Sequence, residues 1–398
     1  MIHSNNVISD AGKKHLRLQL AADVGPVLLR KLLAHFGSLN EVLGASAARL
    51  ADVNGIGSRR AAAILEARQD ESVETEIARA ASCGLRIVCP EDPDYPKPLL
   101  NIPDPPICLY IRGNIEPPDG VSIAIVGSRL CSHYGREQAV RFGELLGGAG
   151  FTVVSGLARG IDGHAHRGAL KAGGRSIAVL GNGLASVYPP EHKPLAEQIA
   201  ASGAVVSELP IDTSPLSSNF PRRNRIIVGL ALGVIVIEAG RRSGALITAR
   251  LASEYNREVF AVPGAIDRPE YSAGVNALIR DGGAKLVTGL EDVLEELAAV
   301  GEIMGRHSGP GDARESQQES PTVKTTVQLT RDERAVLDAI GDGLEDVDLI
   351  ASANELEASR VATILTALEL KGLVQRLSGN RFALSRAARH SSGVAKQG

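Results

Sequence analysis

The sequence predicts an α/β fold: a Rossmann-like, doubly wound parallel sheet, preceded by a small helical domain and followed by a winged helix. Three observations predict it. Between Val121 and Thr288, short and nearly continuous apolar runs alternate with helical patterns, as strands covered on both faces by crossover helices require. Upstream, residues 11–80 carry apolar residues at helical spacing in short segments such as Val27–Phe36 and Arg59–Ala67. Downstream, three short helical patterns (Thr330–Ile340, Asp348–Ala353, Ala358–Leu370) lead into two short runs around Ser378-Gly379-Asn380, the order of a three-helix unit closed by a hairpin.

The elements follow in chain order. Residues 1–84 form the helical domain. In residues 85–120 the character changes: seven prolines from Pro90 to Pro106 predict an extended, turn-rich lead-in rather than a helix. The strands of the central domain, residues 85–298, are expected at Val121–Val126, Phe151–Val154, Ser176–Leu180, Ala204–Leu209, Val234–Ile237, Val259–Val262 and Lys285–Thr288. Helices are expected at Glu137–Leu146, Asp162–Lys171, Leu195–Ala201 and Ala245–Asn256. The polar stretch 299–328, rich in Gly, Ser, Pro and Gln, reads as a flexible linker. Residues 329–386 are the winged helix and 387–398 a disordered tail.

With 398 residues, 44% of them hydrophobic, the chain can build a sizeable core. The longest uncharged apolar run, Ile226–Ile237, is twelve residues, too short to cross a bilayer and better read as a buried helix–strand pair. Met1–Asp10 lacks the apolar run of a secretory signal. Cys83, Cys89, Cys108 and Cys131 show no CxxC pair and no histidine spacing suited to zinc, so the expectation is no metal, thiols used for packing, and a reducing cytoplasm. The net charge of −3 means that any nucleic-acid site is a local basic patch on a mildly acidic body.

Ligands of an open parallel sheet sit beyond the carboxyl ends of its strands. The first strand here ends in Gly127-Ser128-Arg129 and the second in Ser155-Gly156-Leu157-Ala158-Arg159-Gly160. The fifth ends in Glu238-Ala239-Gly240, followed by Arg241-Arg242-Ser243-Gly244-Ala245-Leu246-Ile247-Thr248 at the start of a helix. Convergent helix N-termini with small residues and arginines favour an anion such as phosphate. For any one loop, glycines that merely permit tight turns are the favoured explanation, and only the convergence of several such loops tips the balance to an anion site. The absence of GxGxxG after the first strand and of a GxxxxGK[ST] loop anywhere disfavours a dinucleotide cofactor and a P-loop ATPase, and no cofactor is expected. His164 and His166, two apart on a helix, make a poor metal pair. The densest signal is Phe220-Pro221-Arg222-Arg223-Asn224-Arg225: three arginines to neutralise phosphates and a ring on which a base can stack. Taken alone, it reads equally well as a solvated helix start with Phe220 in the core. With Arg129 and Arg159 on neighbouring loops it favours a basic strip that tracks a single strand.

At these residues the chain resembles the bacterial DNA-processing protein A family (DprA, also called Smf). The resemblance runs through Tyr95-Pro96, Asp104-Pro105-Pro106, Leu109-Tyr110 and Gly113-Asn114. It continues with Ile125–Arg129, Ser155–Asp162, Phe220–Ile227 and Ser243–Ala249, in matching order over about residues 85–298. It implies a non-catalytic, cytoplasmic homodimer that binds and protects incoming single-stranded DNA in natural transformation and helps to load the RecA recombinase. Arg129, Arg159, Phe220, Arg223 and Arg225 carry over as DNA contacts. Gly127, Ser128, Ser155, Gly156, Gly160, Arg222, Asn224, Ser243, Gly244 and Thr248 complete the expected site. Two departures, Ala245 where a second serine is common and the apolar Val228–Ala231, remove no charge. Ser214–Asn219 lacks a lysine that some members carry. The two-fold interface is expected around Val259–Val262 and Ala277–Val287.

In the helical domain, Gly55-Ile56-Gly57 fits a helix–hairpin–helix turn, equally a phosphate contact or a protein contact. From Leu329 to Arg386, ten acids face seven bases, which favours protein interaction over duplex reading for the winged helix. The main rival function is a nucleotide phosphoribohydrolase with Glu238 as catalytic carboxylate. The chain lacks the PGGxGTxxE loop of those enzymes and has Glu238–Ala245 in its place.

Overall fold

The structure is a computed structural model that describes residues 8–21, 24–297, 329–370, 373–377 and 381–384. The expected linker 299–328, the tail 387–398 and the hairpin turn Ser378–Asn380 lie outside the described residues. Two compact units result: residues 1–147 with 152–286, and residues 148–151 with 287–398. No helix among the described residues is long and apolar enough to cross a membrane.

The first unit opens with six helices: α1 (Asp10–Leu20), α2 (Pro26–Phe36), α3 (Leu39–Gly44), α4 (Ala47–Ala51), α5 (Ser58–Ala67) and α6 (Ser72–Ser82). Hydroxyl caps start several of them, as at Ser9, Ser38 and Ser46, whose side chains each accept from the backbone amide three residues on. These helices share a core with the sheet. Leu16, Leu32, Leu50 and Ile64 belong to one apolar cluster with Ala178, Val205 and Ile199. Gln19 bridges by polar contacts as well, donating to the Glu208 carbonyl (2.9 Å) and accepting from the Cys108 amide (2.8 Å). The N-terminal helices therefore pack continuously with the sheet.

Nine strands form one sheet. They are β1 (Arg86–Val88), β2 (Leu109–Gly113), β3 (Ser122–Gly127), β4 (Thr152–Ser155), β5 (Ser176–Val179), β6 (Ala204–Ser207), β7 (Gly233–Ile237), β8 (Glu258–Val262) and β9 (Lys285–Leu286). Their order is β1-β2-β6-β5-β4-β3-β7-β8-β9. From β6 to β9 every pairing is parallel. The lead-in adds what its prolines hid: β1 and β2 pair antiparallel, and β2 pairs antiparallel with β6. Proline spacing marks the turns between them, and three to five residues are too few for alternation to show.

The connecting helices are α7 (Lys97–Leu100), α8 (His133–Gly148), α9 (Ile161–Lys171), α10 (Lys193–Ser202), α11 (Asn219–Leu230), α12 (Gly244–Glu254) and α13 (Pro269–Arg280). The central strands are buried along nearly their whole length, as burial of both faces demands. Alternation then assigns the faces: Ile177 and Val179 pack with Ile226–Leu230 of α11, whereas Ala178 packs with α10 and the N-terminal helices. β8 is an interior strand with Val259–Val262 buried, so it cannot supply the expected two-fold contact. The edge of the sheet on that side is β9, where Leu286 is 44% exposed.

The second unit contains the winged helix: α14 (Arg331–Gly341), α15 (Val347–Ala353), α16 (Ala358–Leu370) and the antiparallel pair β10 (Val374–Leu377) and β11 (Arg381–Leu384). Thr330 and Glu333 cap α14 reciprocally, and Val336, Ile350, Leu365 and Phe382 fill the core.

Candidate functional site

The sheet reverses its winding between β3 and β7. From β3 the chain moves through β4 and β5 to β6 on one side, then returns to place β7 and β8 on the other. At such a switch point the two neighbouring loops diverge and leave a crevice beyond the strand ends. A cleft of ≈ 1120 Å³ lies there, walled by Gly127–Leu130 after β3, Gly240–Ala245 after β7 and the first turn of α11. The amide of Ser128 donates to the Glu238 carbonyl (2.8 Å) and ties the two loops together.

Close packing fixes the two glycines of this corner. A Cβ on Gly127 would stand 1.9 Å from the Ile237 carbonyl oxygen. Gly160 has φ +72° and passes so near the β3 loop that a Cβ would meet the Ser128 oxygen at 2.2 Å. Their role is to bring loops together, not to open a cradle. Gly244, the first residue of α12, differs: nothing lies within 4 Å of its Cβ direction, and it lines the cleft beside Ser243, whose hydroxyl accepts from the Ala245 amide. The positive end of α12 therefore opens into the cleft.

Cations and rings supply the rest of the wall. Arg129, Arg241 and Arg242 are exposed, line the cleft, and have no ion pair among the described residues. Arg129 lies over the half-buried Phe220 ring, 5.0 Å from its centroid, and the Tyr188 ring stands 5.7 Å from Phe220 at 38°. Leu130 (83% exposed) and Ile247 add apolar surface. Ser128, Asn224 and Thr248 also line the cleft, Thr248 with its side chain mostly buried. Arg159 stands at the adjoining end near Phe220 and Tyr188, held 2.5 Å from Glu191, a hydrogen bond that raises its pKa.

Two of the expected contact arginines are mostly buried and bonded to the fold, although Arg223 also borders the cleft. Arg223 is 5% exposed and spends its Nη1 on the carbonyls of Gly156 (2.7 Å) and Val179. Burial lowers its pKa to about 10 against the opposing pull of Asp162. Burial raises the pKa of Asp162, whose carboxylate accepts from the Gly156 amide (3.1 Å). Arg225 is 8% exposed and lies away from the main cleft. It donates to the Asp104 carbonyl (2.7 Å), faces the Asp104 carboxylate at 3.2 Å and pairs with Glu208. Tyr255 at the end of α12 donates to the same Asp104 (2.8 Å). Arg225 thus fastens the lead-in to β6, and its carboxylate partners are Asp104 and Glu208. Ser155 is likewise internal: its hydroxyl donates to the Ile125 carbonyl (2.6 Å). Arg222 is exposed and opens onto a second cleft of ≈ 660 Å³ shared with Gln19, Arg60 and Glu208.

Sequence reasoning left Arg241, Arg242 and Tyr188 out of the expected site. The two arginines follow directly on the β7 loop, and that position alone could have included them. Tyr188 reaches Phe220 from a loop beyond β5 with no motif to mark it. Glu238, the rival's catalytic carboxylate, is 4% exposed and accepts from the amide (2.8 Å) and hydroxyl of Ser132, where it caps the start of α8.

Comparison with known proteins agrees with this architecture. The family described as DNA recombination-mediator protein A matches residues 86–298, a DprA winged helix domain matches 320–380, and a SAM-like helix-hairpin-helix tandem matches 16–70. Protein Smf of Synechocystis is 34% identical over 380 residues, covering 90% of this chain and 95% of its own. Protein Smf of Escherichia coli is 42% identical over 318 residues, covering 80% and 82%. The X-ray structure of DNA processing protein A from Streptococcus pneumoniae superposes with a TM-score of 0.64 at 36% identity, over 71% of this chain and 97% of that one. Together with the switch-point cleft and the flanking domains, these matches identify the chain as a member of the DNA recombination-mediator protein A family, the bacterial DprA/Smf proteins.

Proposed function

We propose that the protein binds single-stranded DNA in the cleft between the β3 and β7 loops. The observation that carries this reading is the pairing of three exposed arginines (Arg129, Arg241, Arg242), without an ion pair among the described residues, with the Phe220 ring and the N-terminus of α12 in one groove. Spaced cations suit consecutive phosphates, and an aromatic face accepts any base, which suits a flexible strand without sequence preference. Gly127, Ser128, Asn224, Ser243, Gly244 and Thr248 shape the groove, and Arg159 and Arg222 extend it at its two ends. Arg223, Arg225, Ser155, Gly156 and Gly160 hold the loops in place from below.

The role is binding, not catalysis. Glu238, the carboxylate that a nucleotide phosphoribohydrolase would use, is enclosed and committed to the start of α8. Membership of the family supports a part in natural transformation: protection of incoming single strands in the cytoplasm, assembly as a homodimer, and delivery of the strand to RecA. The winged helix suits a protein partner. Arg360, on the helix that would enter a major groove, is already paired with Asp332 at 3.0 Å.

Anisotropy titrations with single- and double-stranded oligonucleotides, run across a salt series beside a nucleotide-hydrolysis assay, test this reading. Tighter binding of the single strand is expected, with log affinity falling by about 0.7 per phosphate contact for each decade of salt. Equal affinity for duplex, a flat salt response, or turnover of nucleotide would overturn it.

A further inference from the structure

The end of β1 meets the middle of α1 at three side chains that the DNA cleft does not use. His15, on α1, is 2% exposed; Cys89, just past β1, is fully buried; Glu91 is half-exposed. The donor atoms converge. Nε2 of His15 is 2.5 Å from Oε2 of Glu91, Sγ of Cys89 is 3.3 Å from the same oxygen, and all three lie within 4.8 Å of one another.

His15 is what ordinary packing leaves unexplained. Both ring nitrogens are buried: Nδ1 has no hydrogen-bond partner, and Nε2 meets only the Glu91 carboxylate, at 2.5 Å. Buried polar atoms without partners are rare enough to ask for a ligand. The other two donors come from a preset turn. The Asp92 amide donates to the Cys89 carbonyl (2.9 Å), the Cys89 amide donates to the Asp92 carboxylate (2.8 Å), and Pro90 fixes the backbone between them.

We propose that His15, Cys89 and Glu91 bind one zinc ion. One imidazole nitrogen, one thiolate sulfur and one carboxylate oxygen form a donor set that zinc accepts and that magnesium and calcium, which take oxygen, do not. Bond lengths of about 2.0–2.3 Å to the three donors place them about 3.3–3.8 Å apart around a tetrahedron. The site needs only a small swing of the half-exposed Glu91 away from His15. Solvent reaches the fourth position past Glu91. On binding, the Cys89 thiol loses its proton to solvent, and the new thiolate charge is neutralised by the metal. The ion clips the N-terminal helices to the first strand of the sheet. Spacing along the sequence does not reveal such a site, because His15 lies far from the Cys89–Glu91 turn.

The test uses the reduced, tag-free full chain, equilibrated with zinc and desalted. Wild type is expected to retain about one equivalent and to melt at a higher temperature with zinc than after chelation. Cys89→Ser and Glu91→Ala should retain only background zinc and show no zinc-dependent shift. Cobalt added to the wild-type protein should give a near-ultraviolet thiolate-to-cobalt charge-transfer band, a readout that does not depend on any variant folding. A wild-type chain that keeps no more zinc than Cys89→Ser, or a cobalt spectrum without that band, overturns the proposal. Neither result bears on the DNA cleft, which contains none of these residues.

Discussion

The guanidinium of Arg129 covers the Phe220 ring at 5.0 Å from its centroid, and this contact joins the loop after β3 to the first turn of α11. A base that stacks on Phe220 must move Arg129 off the ring, and the displaced guanidinium is then free to meet the phosphate of the same nucleotide. On the proposed single-strand reading, stacking and charge neutralisation are therefore two halves of one event at this corner of the cleft.

Replacing Arg129 and Arg242 together with alanine should weaken single-strand binding by two orders of magnitude or more, since each charge-assisted contact contributes about 1.5–3 kcal/mol. The stability change should stay within about 1 kcal/mol, because both side chains are exposed and only the Arg129 ring contact is lost. Anisotropy and thermal melts on the same preparation measure the two effects. A folded double variant with wild-type affinity would move the DNA path elsewhere, with Arg222 and the second cleft the next place to look.

Phe220→Leu separates stacking from charge. Every arginine remains, so the slope of log affinity against log salt should be unchanged, while affinity drops by the value of one stacked base, about 1–3 kcal/mol. A reduced slope would mean that Phe220 serves mainly to position Arg129, not to stack.

Arg225→Ala should act on the fold. The substitution leaves Asp104 and Glu208 facing each other without their cation, and removing one partner from a buried ion pair costs about 3–5 kcal/mol. Burial already raises the pKa of Glu208 against the pull of Arg225, and the only other cation acting on it is the more weakly coupled Arg222. Urea unfolding at neutral pH measures the loss. A variant as stable as wild type would show that the lead-in holds to the sheet without this clasp.

The sheet was legible in the sequence because fully buried parallel strands leave unbroken apolar runs, and all seven expected strands begin and end within two residues of the observed ones. The antiparallel strands β1 and β2 were not, since prolines crowd a segment with too few residues to show alternation. At the cleft, strand ends and glycines marked the loops that wall it. Charge alone did not show that Arg223 and Arg225 are mostly buried. Arg223, Ile226, Ile227 and Leu230 follow the i, i+3, i+4, i+7 spacing of a single helix face, so the helical period already placed Arg223 inward. Arg225 could not be read this way, because its partner Asp104 lies far off in the lead-in.

His166 sets an acid limit on the fold. It is fully buried on α9, with Nδ1 2.7 Å from the Ser176 hydroxyl. That hydroxyl gives its own proton to the Val153 carbonyl (2.8 Å), so His166 must donate through Nδ1 and is neutral. Burial lowers its pKa from 6.5 to about 3. The unfolded chain takes up a proton as pH falls below about 6.5, whereas the folded chain resists until about 3. The contribution is therefore complete above 6.5 and is lost progressively between 6.5 and 3, at about 1.4 kcal/mol per pH unit. His166→Asn keeps an N–H for Ser176 and does not titrate. It should be less stable than wild type at pH 7, where the tighter packing of imidazole is intact. The gap should shrink by roughly 2–3 kcal/mol on going to pH 4.5. Comparing the two proteins cancels carboxylates such as Asp162, whose raised pKa favours the folded state as pH falls. Urea midpoints for both proteins at pH 7 and 4.5 decide the matter: a gap that does not narrow means that His166 already carries its proton in the folded state, and that its Nε2 has found a partner.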